Sequence, residues 1–254
     1  MPSTPRYGLF PTEIDGRPGW VTVSMDWLAR PDPSKATWLH IRFPFQPADA
    51  QGLPTPGAME VINQVEDMIV PMLEEKLKAQ HVGSISSGGA RNVYFYAPSD
   101  RGMADALRLV AAQFPAAAPG GIGRSDPQHQ LFAELLEPDL GQFEFMKNAW
   151  VLEQLEQAGD DHAAPRMIEH FASFPTAEGR EQFAGELPEL DLALGEDAFF
   201  TEARDGAEAF IVKFTQHAGV EIFALSDLTA QLAQNAIDAG GEYEGWETEP
   251  VAKQ

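Results

Sequence analysis

The side chains that could do chemistry in this sequence are few, and their spacing argues mostly against catalysis. With no cysteine in 254 residues, covalent attack would fall to Ser, Thr, Lys or a carboxylate. No serine stands in the G-x-S-x-G turn that lifts a nucleophile out of a strand-to-helix elbow. The glycine-rich stretches at Gly88 and Gly120 lack the G-x-x-x-x-G-K-[ST] and G-x-G-x-x-G spacings that wrap phosphates at a helix N-terminus, so they read as turns. Acidic pairs such as Asp160-Asp161 could share a proton or hold a hard cation, but so acidic a sequence produces such pairs by number alone. Of the six histidines, His162 and His170 bracket a strand-like run with Asp160 close by. Without an H-E-x-x-H or another helical ligand pair, that grouping predicts no metal. His170 instead predicts a structural histidine that needs a hydrogen-bond partner, with Tyr243 or Glu247 as candidates. The expectation is therefore no catalytic residue, no cofactor and no metal.

The elements that must position these residues fall into two series. In the first half, strand-like runs at Gly19–Trp27 and Thr37–Gln46 precede a helical pattern from Pro56 to Gln80, in which Pro71 predicts a kink. Runs at Val82–Ser86 and Arg91–Tyr96 flank Gly88-Gly89, which predicts a hairpin. Met103, Ala106, Leu107, Val110 and Phe114 then predict a helix capped by Ser99 or Asp100. The Ala116–Arg124 stretch reads as a linker, and Gln130–Leu136 as the strand that completes a β-α-β-β-α-β order. A second domain starts near Pro138, placed in the first turn of a helix that stops at Gly159. It repeats the order with a strand at Pro165–Phe174, a helix at Thr176–Leu187, a strand at Ala198–Arg204, an Asp205-Gly206 turn into Ala209–Thr215, a helix at Ser226–Ala239 and a strand at Tyr243–Thr248. The expected fold is α+β, with two ferredoxin-like domains, residues 1–137 and 138–254, each an antiparallel sheet with helices on one face. Alternation in the Pro165–Phe174 strand puts Ile168, His170, Ala172 and Phe174 on one face and Met167, Glu169 and Phe171 on the other.

Charge is distributed unevenly over this frame. Residues 1–127 carry 11 basic and 13 acidic side chains and residues 128–254 carry 6 and 26, balances of -2 and -20 within a net charge of -22. So negative a second half opposes phosphate backbones, which predicts no direct nucleic-acid binding and a basic partner, although acidity also serves plain solubility. The absence of cysteine fits a reducing compartment, and the opening Met1-Pro-Ser-Thr-Pro lacks a basic and then apolar pattern. No apolar run reaches the length of a membrane span, so the expectation is a cytoplasmic protein without a membrane partner.

Three stretches of the second half, Leu-Glu-Gln-Leu-Glu-Gln-Ala-Gly-Asp ending at Asp160, Ile168-Glu169-His170, and Tyr243-Glu-Gly-Trp246-Glu247-Thr248, resemble the regulators of ribonuclease E activity B. The first half, with its Gly52-Leu-Pro54 turn and Arg91–Tyr96 strand, is similar to an uncharacterised bacterial domain of unknown function. The resemblance implies a non-enzymatic acidic regulator of ferredoxin-like fold that inhibits ribonuclease E by binding its non-catalytic region. It marks Asp160, Glu169, His170, Tyr243, Trp246 and Glu247 as motif or partner-binding residues, with Tyr243 and Trp246 expected to pack near His170. Two other function classes stand beside it: an enzyme or small-ligand protein with its site in an inter-domain cleft, and a self-assembling module that pairs open sheet faces.

Overall fold

The computed structural model describes residues 7–46, 48–204 and 206–253, and the chain divides into two compact units, Met1–Glu137 and Pro138–Gln254. The Met1–Pro5 stretch read for targeting and Asp205 of the expected turn lie outside the described residues.

In chain order the first unit contains β1 (Tyr7–Ile14), β2 (Arg17–Ser24), α1 (Met25–Ala29), β3 (Thr37–Pro44), α2 (Pro56–Leu77), β4 (Gln80–Ser87), β5 (Ala90–Ala97), α3 (Met103–Gln113), β6 (Gly120–Ser125) and α4 (Gln130–Leu135). All its pairings are antiparallel, in the order β1-β2-β4-β5-β3-β6. From β3 onwards this is a β-α-β-β-α-β unit, to which the β1–β2 hairpin adds two strands. Leu39, Ile41 and Phe43 of β3 and Val93 and Phe95 of β5 bury against Ile62, Val65, Ile69 and Leu73 of α2 and Ala106 and Val110 of α3. Helix α2 runs on through Pro71. On the other face Trp27 of α1 stacks on Tyr96 at 4.7 Å, with His129 and Phe132 beside it.

Four local expectations are corrected. Gln130–Leu135 is a helix and not a strand: Asp126 accepts from the N–H groups of Gln130 at 3.0 Å and Leu131 at 2.9 Å, which supplies the orphan donors of a first turn, and Phe132 and Leu136 bury four residues apart. The strand that closes the unit is β6, inside the stretch read as a linker. All six of its residues are exposed, so it carries no apolar signal, and its glycines serve close approach. A Cβ at Gly123 would stand 2.5 Å from the Asp100 side chain. Asp100 lies against β6 instead, and α3 starts at Met103 behind Gly102, which offers no side-chain cap. Met25–Trp27, read as strand, opens α1, because the Ser24 hydroxyl caps the Trp27 N–H at 3.3 Å.

The second unit contains α5 (Leu140–Gln157), β7 (Arg166–Phe174), α6 (Ala177–Glu186), β8 (Ala193–Arg204), β9 (Ala207–Ala218), α7 (Ile222–Asp238) and β10 (Glu242–Thr248), with sheet order β10-β7-β9-β8, all antiparallel. The first strand of the repeat sits centrally between the third and the fourth, the ferredoxin-like arrangement, as β3 does between β5 and β6. Helix α5 starts from a capping box in which Asp139 accepts from Gln142 N–H at 2.8 Å and Gln142 returns a bond at 3.0 Å. Pro138 thus precedes the cap and is not in the first turn, a further correction. Ala172, Phe174, Val212 and Phe214 pack on Phe183 of α6 and Leu232 and Ala236 of α7, leaving the opposite face of the sheet uncovered by these helices. Among the described residues no helix is long and apolar enough to cross a membrane.

Candidate functional site

Strand β7 sorts the motif residues by the parity of their position. Its even-numbered residues Arg166 to Phe174 are buried, and its odd-numbered residues Met167, Glu169, Phe171 and Ser173 are not. His170 is 0% exposed. Its ring stacks on Phe214 at 5.2 Å, and Nδ1 bonds the Tyr243 hydroxyl at 2.8 Å. Burial lowers its pKa to about 4, so the imidazole is neutral at physiological pH. Burial, followed by the charge of Glu144, raises the pKa of the Tyr243 hydroxyl well above its ordinary value, which keeps it neutral.

Trp246 pairs with His170 across β10 and β7. Its indole Nε1 donates to Asn148 Oδ1 at 2.7 Å, while Asn148 Nδ2 reaches Thr229 at 2.8 Å and Ser226 at 3.1 Å. One buried asparagine thereby ties α5, α7 and β10 together, a role that no periodicity in the sequence announces. Asp160, 1% exposed, bonds Arg166 and accepts from the Val251 N–H at 2.6 Å. Burial works against its ionisation, but the bonds and charge of Arg166 and the bond from Val251 hold its pKa below the ordinary value. It fastens the end of α5 and the C-terminal segment to β7. The four motif residues Asp160, His170, Tyr243 and Trp246 are thus engaged inside the unit.

Glu169 and Glu247 are placed differently. They face each other directly on β7 and β10, on the side the helices leave uncovered. Lys213 of β9 donates to Glu169 at 2.7 Å. That bond raises the lysine pKa over the opposing effect of burial, helped by the charges of Glu169, Glu247 and Asp197. Further along the same side Arg204 of β8 bonds Glu202 at 2.9 Å and also binds Glu244. Two cations therefore stand among five carboxylates. At one end of the sheet Met167, 54% exposed, lies in a groove of about 510 Å³ with Glu169, Glu247 and Glu249 around it. Carboxylates around an exposed thioether suit a Lys or Arg side chain, whose apolar stem can lie on the methionine while its head meets the acids. Of the groups on this face the sequence reading had singled out only Glu169 and Glu247. Lys213, Arg204, Glu202 and Glu244 come together through pairings distant in the chain. Among the described residues no three His, Asp or Glu side chains converge as metal ligands.

Residues 146–248 match the family model of Regulator of ribonuclease activity B, and residues 6–136 match the family of unknown function DUF695. No curated protein matches the chain. Matching solved structures include an unknown protein from Galdieria sulphuraria, 14% identical, covering 85% of this chain and 99% of its own, with a TM-score of 0.23. Another is a proposed glycine cleavage system transcriptional repressor, 10% identical, covering 84% of this chain and 98% of its own, with a TM-score of 0.24. Similarity at this level carries no functional argument.

Proposed function

Because the chain belongs to the DUF695 family and carries behind that region a domain of the Regulator of ribonuclease activity B family, we propose that it regulates a ribonuclease by binding and cleaves nothing itself. The second unit takes a Lys- or Arg-rich segment of an RNA-processing enzyme, with ribonuclease E as the expected target, along the open face of its sheet. The observation that supports this most is the direct opposition of Glu169 and Glu247. Like charges facing each other across two strands repel, and Lys213 hydrogen-bonds Glu169 but, among the described residues, not Glu247. A partner cation between them relieves that repulsion. Residues 138–254 carry 24 acidic and 6 basic side chains, so long-range attraction speeds the encounter with a basic segment and opposes RNA at every phosphate. Inhibition then follows from competition with RNA for the basic segment. The non-enzymatic reading draws support from His170, Tyr243 and Asp160, three of the motifs' acid–base groups, which are buried in internal hydrogen bonds where no substrate reaches them.

The test is fluorescence anisotropy of labelled basic peptides from the host's ribonuclease E, and of an RNA oligomer, titrated with the full chain at about 20 mM and about 150 mM salt. Peptide binding should weaken with salt and weaken again in the E169Q/E247Q double variant, while RNA stays unbound. Tight RNA binding, or peptide binding indifferent to both salt and the double substitution, would overturn the proposal.

A further inference from the structure

The first unit contains a cavity of about 660 Å³ over β1, β2, β4 and β5, on the sheet face opposite α2 and α3, a volume typical of small-ligand sites. Its floor is apolar where Val21 and Ile85, both buried, pair across β2 and β4. Three side chains that carry hydrogen-bond donors line it. Tyr94 is 6% exposed, is fixed by stacking on Trp38 at 4.8 Å, and lines the cavity with a hydroxyl that makes no hydrogen bond among the described residues. Asn92 has its Oδ1 occupied by His40 Nε2 at 2.9 Å, which leaves its amide N–H groups for something else. Arg17 has no ion-pair partner among the described residues, and it lies along the Gly88-Gly89 turn, where a Cβ on Gly88 would stand 3.2 Å from its Nη1. Tyr94, Asn92 and Arg17 thus line one cavity with donor capacity that the described residues leave unused, and a ligand can take it up.

The rest of the lining decides what that ligand is. Glu13, Asp15 and Glu134 also line the cavity, three carboxylates against one guanidinium. A simple anion would be repelled by the carboxylates, and a simple cation would leave the three donors unmet. We infer that this cavity binds a free α-amino acid with an apolar side chain, its carboxylate on Arg17, Asn92 and Tyr94, its ammonium on the acidic rim and its side chain on Val21 and Ile85.

Isothermal titration calorimetry of the full chain with L-leucine and L-phenylalanine, and with N-acetyl-leucine and leucinamide as controls, tests this. The free amino acids should bind, and the blocked forms should bind about tenfold more weakly or not at all. Arg17→Gln and Tyr94→Phe should each weaken binding about tenfold with the thermal midpoint unchanged, since neither removed group has a partner among the described residues. Should Arg17→Gln fail to fold, Tyr94→Phe, which keeps the stacked ring, decides alone. The inference is overturned if neither amino acid binds, if free and blocked forms bind alike, or if binding ignores the Tyr94 hydroxyl.

Discussion

His170 shows how one buried side chain makes the whole fold depend on pH. Its native pKa of about 4 lies below the ordinary value of 6.5 because burial penalises the charged ring. As pH falls through 6.5, the unfolded chain takes up a proton that the native chain refuses, so stability is intact above pH 6.5 and is lost progressively down to about pH 4. The loss over that window is about 3 kcal/mol by linkage. Urea unfolding at half-unit pH steps should show that slope. The His170 ring resonances should stay in their neutral positions down to about pH 4. A His170→Phe variant, already weakened at neutral pH by the stranded Tyr243 hydroxyl, should have lost most of the slope between pH 6.5 and 5; a slope that persists would place the titration elsewhere.

Individual elements differ in how openly the sequence declares them, and β6 and α4 show why. A strand is legible when one of its faces is apolar, and β6 has no buried side at all. It exists because β3 offers it an edge, paired from Thr37↔Ser125 to Arg42↔Gly120. Gly121 and Gly123 admit neighbours a side chain would exclude, so Gly123→Ala should destabilise by about 1–3 kcal/mol as the new methyl meets Asp100. Gly120→Ala, with nothing within 4 Å of the added Cβ, should stay within about 0.5 kcal/mol. Equal losses in thermal melts of the two variants would mean that β6 is held by something other than this close contact. Helix α4 was hidden for a different reason. Its stretch is as apolar as a short strand, and only the Asp126 carboxylate folding back onto two N–H groups settles the choice.

At the scale of the whole molecule the two units differ in charge and in the kind of surface they offer. The first is nearly balanced and contains a half-open cavity; the second is strongly acidic and presents an open sheet. Each has its own apolar clusters, so a fragment of residues 138–254 should fold alone with a single cooperative transition. Its midpoint should rise as salt screens the self-repulsion of its 24 carboxylates. Circular dichroism melts of the fragment across salt check both points; a fragment without a cooperative transition would mean that the second unit depends on the first.

What the sequence alone determined is what periodicity and charge can encode. The alternation along β7 separated Glu169 from His170, the spacing in α2 chose Ile62, Val65, Ile69 and Leu73 for the core, and the acid count of the second half set the sign of its surface charge. Those properties are local or additive, so they survive without knowledge of contacts. The meeting of Glu169 with Glu247 and Lys213, and of Trp246 with Asn148, and the gathering of Arg17, Asn92 and Tyr94 around one cavity were decided only in three dimensions. Each joins residues from separate elements through sheet register and helix packing, and register depends on pairing energies between strands that no single stretch of chain contains.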